Sequence, residues 1–239
     1  MARHPVAAPL GRGGAVTTLW YYLVDYFGDG ANWSGPSGIP ARLLEHFGYT
    51  FLAFVLTVLL ALPLGLWTGH TGRGGILMTL LANAARALPT YGLLVLLVVL
   101  YGIGLVPILV PLVALAVPPV LLNSYEGIRG VDPALTDAAR GMGMTRMQVL
   151  LRAQLPVALP LILVGMRTAA VQIVATATIA ASVSFGGVGR PIVDGLARSD
   201  YALVVGGAAL AAVCSLVVLG VFAVLYRVVV SEGVRASTG

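Results

Sequence analysis

The residues able to do chemistry are few in this sequence, and their types exclude several classes of function. All fourteen basic residues are arginine, so neither a phosphate-binding loop that needs lysine nor a Schiff-base enzyme fits the chain. Cys214 is the only cysteine, which excludes a disulfide framework or a thiolate metal cluster within one chain. His4, His46 and His70 fall outside the predicted helix interiors, which argues against a haem subunit and an intramembrane serine protease. We therefore predict no catalytic residue and no metal site.

The most informative polar stretch is segment 126–156, which lies between two apolar runs. Its residues predict a helix, a glycine turn and a second helix outside the bilayer, because an N-cap pair, an apolar stripe and a capping box follow one another. The alternative is a solvated connecting loop. An apolar stripe outside the bilayer argues against it, because such a stripe must be covered by lipid headgroups, by the protein itself or by a partner. The N-cap pair is Asp132–Pro133, and the apolar stripe consists of Leu135, Ala138, Ala139 and Met142. The turn contains Gly141 and Gly143, the capping box is Thr145 with Gln148, and the second helix is predicted to end at Leu155–Pro156.

Composition places most of the chain in a membrane. Hydrophobic residues make up 59% of the sequence and charged residues 10%, and the mean hydropathy is +0.96. A helix needs about 20 apolar residues to cross the bilayer. The uncharged runs therefore predict an all-α integral membrane protein with five spans, at residues 49–69, 74–103, 106–125, 157–181 and 201–226.

The segments around these spans are assigned by length and charge. Residues 1–48 are predicted to be an N-terminal interfacial segment, because 15–28 is short for a span and rich in aromatic residues, although a spanning role for 15–28 stays open. Residues 49–226 then form the transmembrane domain, and 227–239 a cytoplasmic tail. Seven arginines fall on the side of segment 126–156 and five on the other. This bias favours a multi-pass plasma-membrane protein with that segment and the C-terminus cytoplasmic and the N-terminus outside.

Polar residues inside the predicted spans are candidates for a pathway or gate. Arg86 should face protein or a watery cavity, and Pro89 predicts a kink in the second span. Polar side chains of the fourth span should face protein, unless their threonine hydroxyls simply bond to their own helix. The glycine run after it lacks the strand of a dinucleotide site, so a loop at an outer gate is the better interpretation. The candidates are Arg86, Pro89, Tyr91, Gln172, Thr176, Thr178, Gly186 and Gly187.

Segment 126–156 resembles the cytoplasmic "EAA" loop of ABC-importer permease subunits, with aspartate for the usual glutamate and Ala153 for the usual isoleucine or valine. The matching residues are Asp137, Ala138, Ala139, Gly143, Leu155 and Pro156. Three longer stretches resemble permeases for glycine betaine, choline, carnitine or proline betaine: NSYEGIRGVDPALTDAARGMGMT, LPLILVGMRTAAVQIVATATIAA and FGGVGRPIVDG. NWSGPSGI and GHTGRGG are similar to an actinobacterial branch of that group.

The resemblance implies a type I ABC-importer fold with a five-helix, MetI-like core, in a permease that is not an enzyme. A coupling helix within residues 133–146 would dock on a separate ATPase subunit that holds ATP and Mg, so this chain would bind no cofactor. Other implied partners are a second permease chain, identical or paralogous, an extracellular substrate-binding protein and membrane lipid. Nucleic acid is not expected as a partner, because the sequence contains no basic run despite its net charge of +5. The docking residues would be Pro133, Asp137, Ala138, Ala139, Arg140, Gly143, Met144, Leu155 and Pro156.

Two other functions remain open. The same kind of importer could carry methionine, another amino acid or a phosphonate. A secondary transporter or channel would work without ATP, but such proteins usually carry intramembrane acidic groups for ion coupling. In this sequence no aspartate or glutamate lies inside a predicted span, and Glu126 is the acidic residue at the end of one.

Overall fold

The computed structural model describes residues 15–230 and shows a helical protein, with no strand in that range. The predicted all-α fold class is confirmed. The α-helices are α1 Ala15–Gly28, α2 Ile39–Thr71, α3 Gly75–Ala87, α4 Thr90–Tyr101, α5 Leu105–Arg129, α6 Pro133–Gly141, α7 Arg146–Gln148, α8 Leu155–Thr176, α9 Arg190–Arg198 and α10 Tyr201–Val229. Two 3-10 helices, Gly30–Trp33 and Ala177–Val183, and a π-helix, Val149–Gln154, complete the described elements.

Within residues 15–230, four helical stretches are long and apolar enough to cross a membrane. They are Ile39–Thr71, Leu105–Arg129, Arg146–Val183 and Tyr201–Val229. The pair α3 and α4 would be a fifth span if it is counted as one, but its two helices meet at an angle of 77°. The kink expected at Pro89 is thus a full break, since Leu88 before the proline is extended and cannot continue α3.

Helix α2 begins at Ile39, well before the predicted span start at residue 49. Pro40 lies in its first turn, where a proline does not interrupt helical hydrogen bonds. The sequence prediction placed the start of the span too late because it relied on uncharged residues, and Arg42, Glu45 and His46 lie in this first part of α2. His46 is fully buried inside α2, so the expectation that every histidine lies outside the helix interiors is wrong.

The second helix of segment 126–156 does not end at Leu155–Pro156. Instead α7 passes through the π-helix Val149–Gln154 directly into α8. In the π-helical turn the Leu155 N–H donates to the carbonyl of Leu150, which widens the backbone just before Pro156. A proline ring normally clashes with the carbonyl four residues earlier, and the wider turn relieves that clash. The chain therefore runs from the polar segment into the apolar core as one helical rod.

The core of the molecule is built from close contacts of small residues between α2, α5 and α8. A Cβ added at Gly65 of α2 would lie 2.7 Å from the carbonyl oxygen of Leu121. A Cβ added at Gly165 of α8 would lie 2.6 Å from the carbonyl oxygen of Pro119. Because apolar burial drives little association in lipid, such close backbone packing is a main source of stability between membrane helices.

Helix α1 packs on α10. Tyr26 is only 3% exposed, and its ring lies against Gly206 of α10. Tyr26 is therefore a packing residue, unlike the interfacial anchor that its place among the aromatic residues of segment 15–28 suggested. Trp20, with 67% of its surface exposed, keeps the exposure expected of such an anchor.

Candidate functional site: the docking helix and the outer glycine loop

Helix α6 is a short exposed helix with both ends fixed by hydrogen bonds. At its N-terminus the Asp132 carboxylate accepts a hydrogen bond of 2.8 Å from the Ala134 N–H. At its C-terminus Gly143 has a φ of 82°, a conformation that favours glycine. The Gly143 N–H donates to the Arg140 carbonyl, and the Met144 N–H donates to that of Ala139. The predicted N-cap and the predicted turn at Gly143 are both present.

The capping box predicted for the second helix is also present. The Thr145 N–H donates to Gln148 Oε1 at 2.8 Å, and the Gln148 N–H donates to Thr145 Oγ1 at 3.4 Å. The box starts the rod that continues into α8. As a result, α6 and the rod are separated only by a short turn of defined geometry.

The predicted apolar stripe of α6 is divided between two faces. Ala139 of the stripe is buried, as is Thr136 outside it, and α6 contacts the π-helical turn. Leu135 is 40% exposed and Met142 73% exposed, so the protein's own body covers only part of the stripe. The Asp137 carboxylate pairs with Arg140 Nη1 at 3.4 Å. At about 3.6 residues per turn this pair lies on the side of α6 opposite Leu135 and Met142, so the exposed surface is apolar on one side and charged on the other.

The predicted docking residues fall into two groups. The exposed group on and just after α6 comprises Pro133, Asp137, Ala138, Arg140 and Gly143, with Met144 partly buried. Ala139, also predicted to dock, is only 2% exposed and does not belong to this surface. Leu155 instead packs against a buried cluster that contains Ile128, Leu150, Ala158 and Ile162. Leu155 thus belongs to the base that carries α6, whereas Pro156 after it is exposed but lies in α8 rather than on α6.

The predicted pathway residues do not form one cluster in the single chain. Arg86 lies at the end of α3, and Arg86, Pro89 and Tyr91 around the break are exposed. Gln172 Oε1 is buried without a hydrogen-bond partner among the described residues. Thr176 is partly buried, and Thr178 Oγ1 donates to the carbonyl of Ala175 at 2.8 Å, a local bond from the 3-10 helix back to the last turn of α8.

Arg167 is a further charged residue that the list of pathway candidates omitted. It lies in the middle of α8 and is exposed in the single chain. The signal was present in the sequence, since Arg167 interrupts the otherwise uncharged run 157–181. A charge at this depth requires protein or water beside it.

The glycine loop after α8 is held by a buried group on α2 that the sequence did not reveal. His46 Nε2 lies 3.0 Å from the Val174 carbonyl and therefore donates to it, and His46 Nδ1 lies 2.9 Å from the Tyr49 hydroxyl. That hydroxyl lies 3.1 Å from the Ala177 carbonyl. Both carbonyls lie where α8 tightens into the 3-10 helix. We call His46, Tyr49 and Glu45 the α2 clamp.

Glu45 extends the α2 clamp to the glycine loop itself. Its carboxylate accepts a hydrogen bond of 2.9 Å from the Gly187 N–H and pairs with Arg42 Nη1 at 3.2 Å. Gly187 has a φ of 97°, and a Cβ added there would lie 2.6 Å from the Tyr49 hydroxyl oxygen. At Gly186 an added Cβ would lie 2.8 Å from Glu45 Cδ. The glycines are therefore explained by close approach to α2.

Residues 15–230 thus form a helical core with membrane-length apolar helices, which carries a small, capped, exposed helix on a continuous helical rod. Residues 61–235 match the family described as the binding-protein-dependent transport system inner membrane component. The chain belongs to that family.

Curated relatives of the chain are permease subunits of osmoprotectant systems. It is 33% identical over 194 residues to the choline transport system permease protein OpuBB of Bacillus subtilis, covering 81% of this chain and 89% of the relative. It is 31% identical to the glycine betaine/carnitine/choline permease OpuCB of the same organism, covering 80% and 88%. It is 32% identical to the glycine betaine/proline betaine permease ProW of Escherichia coli, covering 72% of this chain but 49% of ProW.

A solved structure confirms the fold. A chain of the inward-facing MetNI methionine ABC transporter superposes with a TM-score of 0.70 at 21% identity, covering 81% of this chain and 96% of that chain. At this identity the likeness shows the fold alone, which is the expected type I importer fold. The chain is thus an ABC-importer permease whose relatives serve osmoprotectant transport.

Proposed function

We propose that this chain is the permease through which an ATPase drives the import of glycine betaine, choline or a related quaternary ammonium compound. The observation that carries the proposal is α6, an exposed helix fixed by caps at both ends, in a chain whose relatives are permeases of choline and betaine systems. The chain itself holds no nucleotide, and ATP and Mg bind to the ATPase. Helix α6 and the C-terminus face the cytoplasm.

Motion of the ATPase is transmitted to the membrane through the rod that follows α6. The exposed residues of α6 contact the ATPase, while the helix itself contacts the π-helical turn. Because α7, that turn and α8 are continuous, a displacement at α6 moves α8 as a body. The far end of α8 carries the two carbonyls bound by the α2 clamp, so the same displacement acts on the glycine loop.

The transport path forms between two permease chains, identical or paralogous, because one set of spans cannot enclose it. An extracellular binding protein delivers the solute to the glycine loop. Arg86 and Arg167, exposed on the single chain, face this path or the second permease, since lipid disfavours a guanidinium. A fixed positive charge in the path favours a zwitterion, whose carboxylate can approach it, over a bare cation.

Methionine is an alternative cargo that the sequence left open, beside another amino acid or a phosphonate. Transport assays distinguish methionine from a quaternary ammonium compound. The permease, its ATPase and its binding protein are reconstituted in proteoliposomes, and ATP-dependent uptake of labelled glycine betaine, choline and methionine is measured. We expect uptake of a quaternary ammonium compound and none of methionine. Uptake of methionine alone, or of any solute by the permease without its ATPase, would contradict the proposal.

A further inference from the structure

A basic cleft lies where the end of α2 faces the turn between α6 and α7. Its volume is about 560 Å³, and its lining residues are His70, Thr71, Arg73, Arg140, Met144 and Arg146. Three guanidinium groups and an imidazole thus share one cleft, and no carboxylate is among these lining residues. Arg129 adds charge beside it, with Nη1 3.5 Å from the Cβ position of Gly72.

The charges of the cleft are largely uncompensated. Arg140 has the Asp137 carboxylate at 3.4 Å, in a pair that is exposed on both sides. Arg73 and Arg146 take part in none of the ion pairs formed by residues 15–230. His70 Nδ1 donates a hydrogen bond to Gln154 Oε1, which holds the imidazole in place on the side of the cleft formed by the end of α2. Such an arrangement attracts an anion with several acceptor oxygens.

The place of the cleft identifies the kind of anion. It opens at the point where α2, apolar over most of its length, ends at Thr71. Trp67, one turn before that end, is 67% exposed, and Ile76 at the start of α3 is 82% exposed. An exposed tryptophan is typical of the headgroup level, and an exposed isoleucine beside it suits contact with an acyl chain. Positive charge and lipid-facing apolar surface are therefore adjacent.

We propose that this cleft binds a phosphate group, carried by an anionic phospholipid whose headgroup contacts Arg73 and Arg146 and whose chains lie along Trp67 and Ile76. Arginine suits this ligand because its planar fork matches two phosphate oxygens at once. Basic pockets at the ends of membrane helices bind such headgroups on the cytoplasmic side. Free phosphate is the other source of the same chemistry. The proposal rests on the proposed function only for placing the cleft at the cytoplasmic leaflet.

The test counts the lipids that the protein keeps. The assembly with its ATPase is placed in nanodiscs of equal parts phosphatidylglycerol and phosphatidylcholine, then released, and the bound lipids are identified by native mass spectrometry. The cleft variant is Arg73→Gln with Arg146→Gln. The control, Arg152→Gln with Arg198→Gln, removes the same charge from exposed arginines that do not line the cleft.

We expect the parent and the control to enrich phosphatidylglycerol roughly tenfold, and the cleft variant to retain the two lipids in the mixture's own ratio. Calorimetric titration with inorganic phosphate in phosphatidylcholine nanodiscs distinguishes the source. Saturable binding that the cleft variant loses would assign the site to free phosphate as well. Equal phosphatidylglycerol enrichment in all three proteins, together with no phosphate binding, would overturn the proposal. Loss of the ATPase from the cleft variant with unchanged lipid retention would also overturn it, because that result would assign the cleft to the protein partner.

This readout is independent of transport. If the assembly failed to import any quaternary ammonium compound, the proposed function would fall, yet the lipid ratios of parent, control and cleft variant would still decide the phosphate site. Conversely, normal uptake by an assembly whose cleft variant keeps phosphatidylglycerol would remove the lipid proposal and leave the transport function intact.

Discussion

At the scale of single residues, a few positions are fixed by local geometry rather than by chemistry. Gly143 has a left-handed backbone that ends the turn after α6, and Gly187 combines the same kind of backbone with a close approach to Tyr49. Neither role requires a ligand. Both glycines lie at points where a functional element joins its support, so substitutions there test position without removing a reactive group.

Replacement of Gly143 by valine should uncouple transport from ATP hydrolysis. A β-branched residue at a φ of 82° costs on the order of 1 kcal/mol or more, so the turn shifts and α6 is displaced. We expect uptake to fall strongly while hydrolysis by the assembled ATPase persists, measured in the same proteoliposomes. Gly141→Ala is the control, because an added Cβ at Gly141 meets open space. Normal coupling in Gly143→Val would argue against α6 as the coupling element.

Removing the Tyr49 hydroxyl should loosen the α2 clamp. Tyr49→Phe leaves the buried His46 Nδ1 and the Ala177 carbonyl without that partner, at a cost of about 1–3 kcal/mol. We expect a lower thermal unfolding temperature of the purified assembly. Tyr101→Phe is the matched control, since Tyr101 is 75% exposed. An unchanged unfolding temperature in Tyr49→Phe would show that the Tyr49 hydroxyl contributes nothing to stability.

Arg86 should influence which solute is carried. If its guanidinium faces the path, Arg86→Ala removes the group that a carboxylate can approach, and uptake of glycine betaine should fall more than uptake of choline. The ratio of the two uptake rates is the measurement, because it is insensitive to the amount of assembled protein. An unchanged ratio of the two uptake rates would show that Arg86 does not select the solute and would leave it a structural role.

At the scale of elements, the junctions between helices differ: some are sharp bends and others are continuous. The α3–α4 pair bends by 77°, whereas the polar turn at α7 leads without interruption into α8. Helix α1, which the sequence left between spanning and lying at the interface, is anchored by packing of Tyr26 against α10. This contact is specific, because the ring occupies the space that a side chain at position 206 would need.

A methyl group at Gly206 should therefore separate α1 from α10. The added Cβ would collide with the Tyr26 ring, and overpacking of this kind costs typically 1–3 kcal/mol. We expect Gly206→Ala to lower the thermal unfolding temperature in detergent. Gly220→Ala on the same helix meets nothing within 4 Å and should be neutral or slightly stabilising. Equal behaviour of the two variants would contradict the packing of α1.

At the scale of the whole molecule, the sequence predicted the features that depend on neighbours along the chain. The caps of α6, the turn at Gly143 and the interruption at Pro89 all follow from local residue types. The start of α2 was missed because its polar residues are satisfied at a distance: His46 binds the carbonyl of Val174, and Glu45 binds the N–H of Gly187. Long-range pairing of this kind leaves no periodic signal in one sequence.

The central claim is that α6 is the surface on which the ATPase docks. A photo-crosslinking amino acid at Met142, which is 73% exposed beside α6, tests it directly in the purified assembly. The same group at Val213, exposed at 52% on α10, serves as the control. The account predicts that Met142 captures the ATPase and Val213 does not. An ATPase that copurifies yet is captured only from Val213, or from neither position, would contradict it.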